Sequence, residues 1–112
     1  LKIEKFKEQI SLIERESLMR YILEKELLPL AKNKSIDYGG DDCFGNLRKS
    51  GWIGTIIRLG DKSDRLLNLI SLDNENDKSV KDEAIEDTLI DIINYAFFTL
   101  IMKRGINGSK KE

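Results

Sequence analysis

The chain has 112 residues, with 19 Lys plus Arg against 20 Asp plus Glu, and its formal net charge is -1. That length suits one domain of ordinary size, and near-neutrality excludes a broad basic face able to hold duplex nucleic acid without sequence preference. There is no histidine and Cys43 is the only cysteine, so Cys/His zinc sites, Ser-His-Asp or Cys-His catalysis and an intrachain disulfide are excluded within one chain.

Residues 1 to 28 contain no Gly or Pro, and Ile3, Phe6, Ile10 and Ile13 follow a 3-4-3 spacing that predicts a helix from the start of the chain. Pro29 should end or kink it near Leu28. From Lys32 to Asn46 the composition turns to Asn, Ser, Asp and Gly around Asp37-Tyr38-Gly39-Gly40-Asp41-Asp42, which predicts a long loop and a candidate substrate-contact segment. The lone thiol in that loop fits a reducing cytosol, and the sequence carries no secretory pattern.

A second helix is expected over Trp52 to Ser71, with an interruption at Gly60. On it Arg58, Asp61, Arg65 and Asn68 share one face, flanked by Lys62 and Asp64, while Ile56, Leu59, Leu66, Leu67 and Ile70 lie opposite. A polar turn at Asp73 to Lys78 leads to Ser79-Val80-Lys81-Asp82, which resembles a capping box, and the third helix should run from there to about Lys103 with Gly105 as its terminating residue. Its apolar run, Thr88 to Ile101, is shorter than a bilayer span and carries Asp91 and Asn94, so no membrane partner is expected.

On the third helix Glu83, Asp87, Asp91 and Asn94 fall on one polar stripe. Ile85, Leu89, Ile90, Ile92, Ile93, Ala96, Phe97, Leu100 and Ile101 occupy the rest of the circumference, which predicts burial on nearly all sides and places Asp91 inside the bundle. A buried carboxylate must be paired, protonated or metal-bound, and without a cation the stripe should repel itself. If the polar faces of the second and third helices meet in one cleft, its carboxylates can hold Mg²⁺ while Arg and Lys neutralise phosphate. Against this stands the simpler reading of a salt-bridged, solvated surface.

The residues Asp37-Tyr38-Gly39, Phe44-Gly45, Arg58-x-x-Asp61-Lys62-x-x-Arg65-Leu66-x-Asn68-Leu69 and Glu83-x-x-x-Asp87-Thr88-Leu89-x-Asp91-x-x-Asn94-Tyr95 together resemble the phage and bacterial nucleotide-modification-associated domain. That family is itself similar to the all-α MazG-like nucleotide pyrophosphatases. The resemblance covers about residues 22 to 101. It implies a small bundle of three to four main helices with a long loop after the first, as one domain with a helical arm (1–21), a nucleotide-binding-like core (22–104) and a tail (105–112).

It further implies Mg²⁺ held by Asp61, Glu83, Asp87 and Asp91, with water attacking between the α and β phosphates of a nucleoside triphosphate. Arg58, Lys62 and Arg65 are the expected phosphate contacts, Asp37, Tyr38, Asn68 and Asn94 the further ligand contacts, and Asp91 or Glu83 the acceptor of the water proton. One departure is notable: MazG-like enzymes carry Glu-x-x-Glu on the earlier helix, where this chain has Asp61-x-x-Asp64 beside a Lys and an Arg. The leading expectation is a Mg²⁺-dependent pyrophosphohydrolase of phage or bacterial nucleotide metabolism, in the cytoplasm (the host's, if phage-encoded). The alternative is a viral sponge that sequesters a nucleotide-derived immune signal without turnover. A third class is a helical oligomerisation module in which Asp91 pairs with Arg58 or Arg65. The unpartnered stripe of the arm predicts a homo-oligomer.

Overall fold

The computed structural model describes residues 5–39, 47–71 and 78–109, and the chain divides into two compact units, Leu1–Cys43 and Phe44–Glu112. Among the described residues every regular element is helical, as the composition and periodicity lead one to expect.

In the first unit residues 5–10 carry no regular structure, and α1 spans Leu12–Tyr21. The helix expected from residue 1 therefore starts eleven residues later. Its start is set by chemistry rather than by the apolar stripe: Ser11 is the N-cap, its hydroxyl accepts from the Glu14 N–H at 3.1 Å, and its carbonyl accepts from the Arg15 N–H at 3.0 Å. The stripe could not nucleate a helix by itself because nothing covers it; Phe6, Ile10 and Ile13 are all exposed.

Pro29 does not stop the helix. A π-helical segment, Ile22–Leu27, follows α1 directly, and α2 continues as Leu28–Gly39. Proline lacks the N–H that would close an α-turn, so its place one residue into α2, just past a wider-wound stretch, keeps the lost bond at a junction between two hydrogen-bond registers. The loop expected from Lys32 is thus helical as far as Gly39. Asp37 and Tyr38 lie in that last turn, and their side chains, with residues 40–46, fall outside the described residues.

The second unit is a hairpin of α3, Gly51–Ser71, and α4, Lys78–Ser109. Helix α3 runs through Gly60 without the expected interruption; a glycine weakens a helix interior by about 1 kcal/mol, which the neighbouring turns tolerate. Helix α4 begins one residue before Ser79, and the expected stop is visible at Gly105, whose φ of 73° and ψ of 172° break an otherwise helical run. Only glycine occupies that region without strain.

The contacts between α3 and α4 are polar at their most buried points. Thr55 is fully buried and its hydroxyl lies 2.6 Å from that of Thr99. Thr88 is also buried and returns its hydroxyl proton to the Ala84 carbonyl at 2.7 Å. By contrast Leu89, Ile93, Phe97 and Leu100, which step along α4 at intervals of four, four and three, are exposed. The expectation that α4 is buried on nearly all sides is therefore corrected. Within this unit α4 has α3 as its neighbour, and one helical neighbour covers one face.

Candidate functional site: a cationic pocket on the helical hairpin

Two cross-helix contacts fix how α3 and α4 are aligned. From Thr55–Thr99 to Lys62–Asp91 the chain advances seven residues along α3 and retreats eight along α4, two helical turns on each. The helices are antiparallel, and this register brings the Lys62 ammonium to 3.3 Å from Oδ2 of Asp91. The side chains are 30% and 19% exposed. Asp91 is thus partly sheltered rather than walled off, and Lys62 pairs with it, a cation other than the Arg58 or Arg65 that a purely structural module was expected to use. The sheltered end of the polar stripe has a cationic neighbour at hand.

Beside this pair opens a pocket of about 660 Å³ lined by Arg58, Asp61, Lys62, Asp64, Arg65, Asn68, Leu69 and Tyr95. The i, i+3, i+4, i+7 spacing of Arg58, Asp61, Lys62 and Arg65 places them on one stripe of α3, so the local periodicity builds the wall. Three cations face two carboxylates there, leaving an excess of one positive charge. Of the expected α3 residues, Arg58, Asp61, Lys62, Arg65 and Asn68 are all brought together.

The expected residues of α4 are placed differently. Glu83 and Asp87 are exposed, and along the axis Glu83 stands about 12 Å from Asp91, with Asp87 about 6 Å from each. Among the described residues no three carboxylates or thiols gather to hold one ion. The donor chemistry nonetheless fits magnesium in one form: Mg²⁺ commonly takes one or two protein carboxylates and completes its shell with water and substrate phosphate. Asp91 beside the phosphate-sized cationic wall, with Asp61 in the lining, offers hard oxygens for an ion that arrives together with its anion.

Asn94 is 5% exposed and its Nδ2 has no acceptor. Among the described residues, then, this buried amide donor is left unmet, which costs about 1–3 kcal/mol. It is not among the pocket-lining residues. Tyr95 is, and the expectations missed it as a site residue. The signal was present, since Tyr95 lies four residues beyond Asp91 on the same face. Its ring meets that of Phe98 edge-on, 6.3 Å between centroids at 86°, a geometry that fixes the plane of the ring. Trp52 is partly exposed on the first turn of α3, while the Tyr38 side chain and Phe44 lie outside the described residues.

The molecule is thus an all-α protein whose helical hairpin presents an anion-suited pocket next to a sheltered carboxylate. The family described as Nucleotide modification associated domain 1 matches residues 34–102, well over half of the chain, and the chain belongs to that family. The matched span takes in the end of α2, all of α3 and α4 as far as Met102, and so includes every pocket residue. No curated protein and no solved structure matches the chain. Among the described residues no helix is long and apolar enough to cross a membrane.

Proposed function

We propose that this chain is a Mg²⁺-dependent nucleotide-binding protein of phage or bacterial nucleotide metabolism, acting as a MazG-like nucleoside triphosphate pyrophosphohydrolase. The observation that carries the reading is the cationic wall of Arg58, Lys62 and Arg65 in one pocket with Asp61, and the ion pair that ties its Lys62 to Asp91. Guanidinium and ammonium groups there suit the phosphate chain, and Asn68 supplies an amide for the rest of the ligand. Asp61 and Asp91, with Asp87 and Glu83 further along the stripe, are the residues that would hold magnesium, which when bound neutralises phosphate charge and makes a water molecule more acidic. Asp91, the nearer of the two expected acceptors, would take the proton of a water that adds to the α-phosphorus while the bond to the bridging oxygen breaks, releasing a nucleoside monophosphate and pyrophosphate.

A second reading, a sponge that retains an intact nucleotide-derived signal, is favoured by the positive excess of the lining and by Asp61-x-x-Asp64 standing where hydrolytic relatives of the family carry two glutamates. Incubation of the full chain with a panel of ribo- and deoxynucleoside triphosphates and Mg²⁺, followed by mass spectrometry, separates the two. Pyrophosphate release supports the hydrolase. Tight binding of a nucleotide that is still intact after hours supports the sponge, and neither outcome for any nucleotide removes both.

The second unit also favours a homo-oligomer. Its most buried side chains are Thr55, Thr88 and Asn94, whereas Ile53, Ile57, Leu67, Leu89, Ile93, Phe97 and Leu100 are exposed. Exposed apolar side chains in this number on a helical pair are what a bundle completed by another chain would cover. Sedimentation that shows a monomer at micromolar concentration would remove this part of the proposal.

A further inference from the structure

We propose that Asp91 is a built-in competitor for the anion of this pocket: the carboxylate of Asp91 draws on the Lys62 charge that a phosphate would use, and a cation that occupies Asp91 releases that charge to the anion. The inference rests on the nucleotide-binding reading above and deepens it, because it specifies how the anion and the divalent cation depend on one another. Lys62 is at once a lining residue of the pocket and the ion-pair partner of Asp91 at 3.3 Å. An ammonium held at that distance by a carboxylate has part of its charge already spent. A phosphate entering the pocket meets Arg58 and Arg65 directly, but at Lys62 it must share the ammonium with Asp91, whose carboxylate repels it.

The same pair opposes the cation. A divalent ion approaching Asp91 alone faces the Lys62 ammonium at close range. When both ligands arrive together, Lys62 turns to the phosphate and Asp91 to the metal, so two opposing contacts become two favourable ones. Binding of either ligand therefore favours the other, and by linkage the coupling is equal in both directions.

The experiment is calorimetric and uses the full chain with inorganic pyrophosphate as the anion and MgCl₂ as the cation, with circular dichroism to confirm that each variant is folded. In EDTA, Asp91→Asn should tighten pyrophosphate binding about two- to fivefold, the size expected for removing a partly sheltered ion pair. Lys62→Met should tighten Mg²⁺ binding, measured without pyrophosphate, by a similar factor. In the wild type, saturating Mg²⁺ should tighten pyrophosphate binding by a larger factor than in Asp91→Asn. Weaker or unchanged pyrophosphate binding by folded Asp91→Asn in EDTA overturns the competition while leaving the nucleotide reading intact. Failure of the wild type to bind pyrophosphate with or without Mg²⁺ overturns both. If Asp91→Asn does not fold, the magnesium measurement on Lys62→Met decides, and unchanged Mg²⁺ affinity there is the refuting result.

Discussion

The hydroxyl pair of Thr55 and Thr99 determines which residues of α3 and α4 face one another, and its strength can be worked out from the proton count. Three short contacts meet there: Thr55 to the Trp52 carbonyl at 2.8 Å, Thr99 to the Tyr95 carbonyl at 2.6 Å, and hydroxyl to hydroxyl at 2.6 Å. Two hydroxyls carry two protons, so one serves the cross-helix bond and the other a carbonyl of its own helix. Thr55→Ala removes a buried methyl, about 0.8 kcal/mol, and one hydrogen bond, about 1 kcal/mol, for a total near 2 kcal/mol. Thr55→Ser keeps the hydroxyl and should cost only about 0.8 kcal/mol. Thr99→Ala should resemble Thr55→Ala, but the double alanine variant should fall short of the sum by about 1 kcal/mol, since the shared bond can be lost only once. Valine at both positions should not rescue the pair, because two methyl groups need about 3.5–4.0 Å where the oxygens stand at 2.6 Å. Urea unfolding followed at 222 nm gives the four free energies. A double variant equal to the sum of the singles within about 0.5 kcal/mol would show that the hydroxyls do not touch, and the alignment of Lys62 with Asp91 would lose its support.

Three further outcomes are expected. Gly60→Ala should stabilise the chain by about 0.5–1 kcal/mol in thermal or urea unfolding, because a Cβ there meets nothing, whereas Gly54→Ala should destabilise it, because a Cβ there collides with the Ser50 side chain; the same sign for both would contradict the packing. Ser11→Ala should lower the helicity of α1 and speed amide exchange at residues 13–15, with a local cost of about 1 kcal/mol; unchanged exchange would mean that the cap does not hold the helix start. Asn94→Leu should leave stability unchanged or raise it by up to about 1 kcal/mol, since it removes an unmet buried donor; a loss of 2 kcal/mol or more would reveal a structural partner for the amide.

The fold class and helices α3 and α4 were legible in the sequence because both carry long, uninterrupted periodic faces, and Gly105 marked the break in α4 through a backbone region that other residues avoid. The beginning of α1 was misread for a reason contained in the same sequence. Ile3, Phe6, Ile10 and Ile13 satisfy helical spacing, but spacing stabilises a helix only when another surface covers the stripe, while Ser11-x-x-Glu14 spells out a capping signature that needs no partner. The segment after Lys32 was misread in the opposite sense. Asn, Ser and Asp favour turns when the chain is free, yet here they extend a helix already nucleated upstream.

The candidate site divides along the same line between what one helix decides and what two helices decide together. The cationic stripe of α3 follows from residue spacing alone, and all of its members reach the pocket. The partner of Asp91 does not follow from spacing, because it depends on the register between helices, and a shift by one turn would have offered Arg58 or Arg65 in place of Lys62. This also alters the argument about the acidic stripe of α4. Glu83 and Asp87 are exposed, so water screens them, and Asp91 is answered by Lys62. The repulsion that would have forced a metal ion onto the bare stripe is therefore relieved within the chain itself. On the proposed function, a divalent cation would then be drawn in by something beyond the three carboxylates, and the strongest attraction at this pocket would be the negative charge of a phosphate chain held by Arg58 and Arg65.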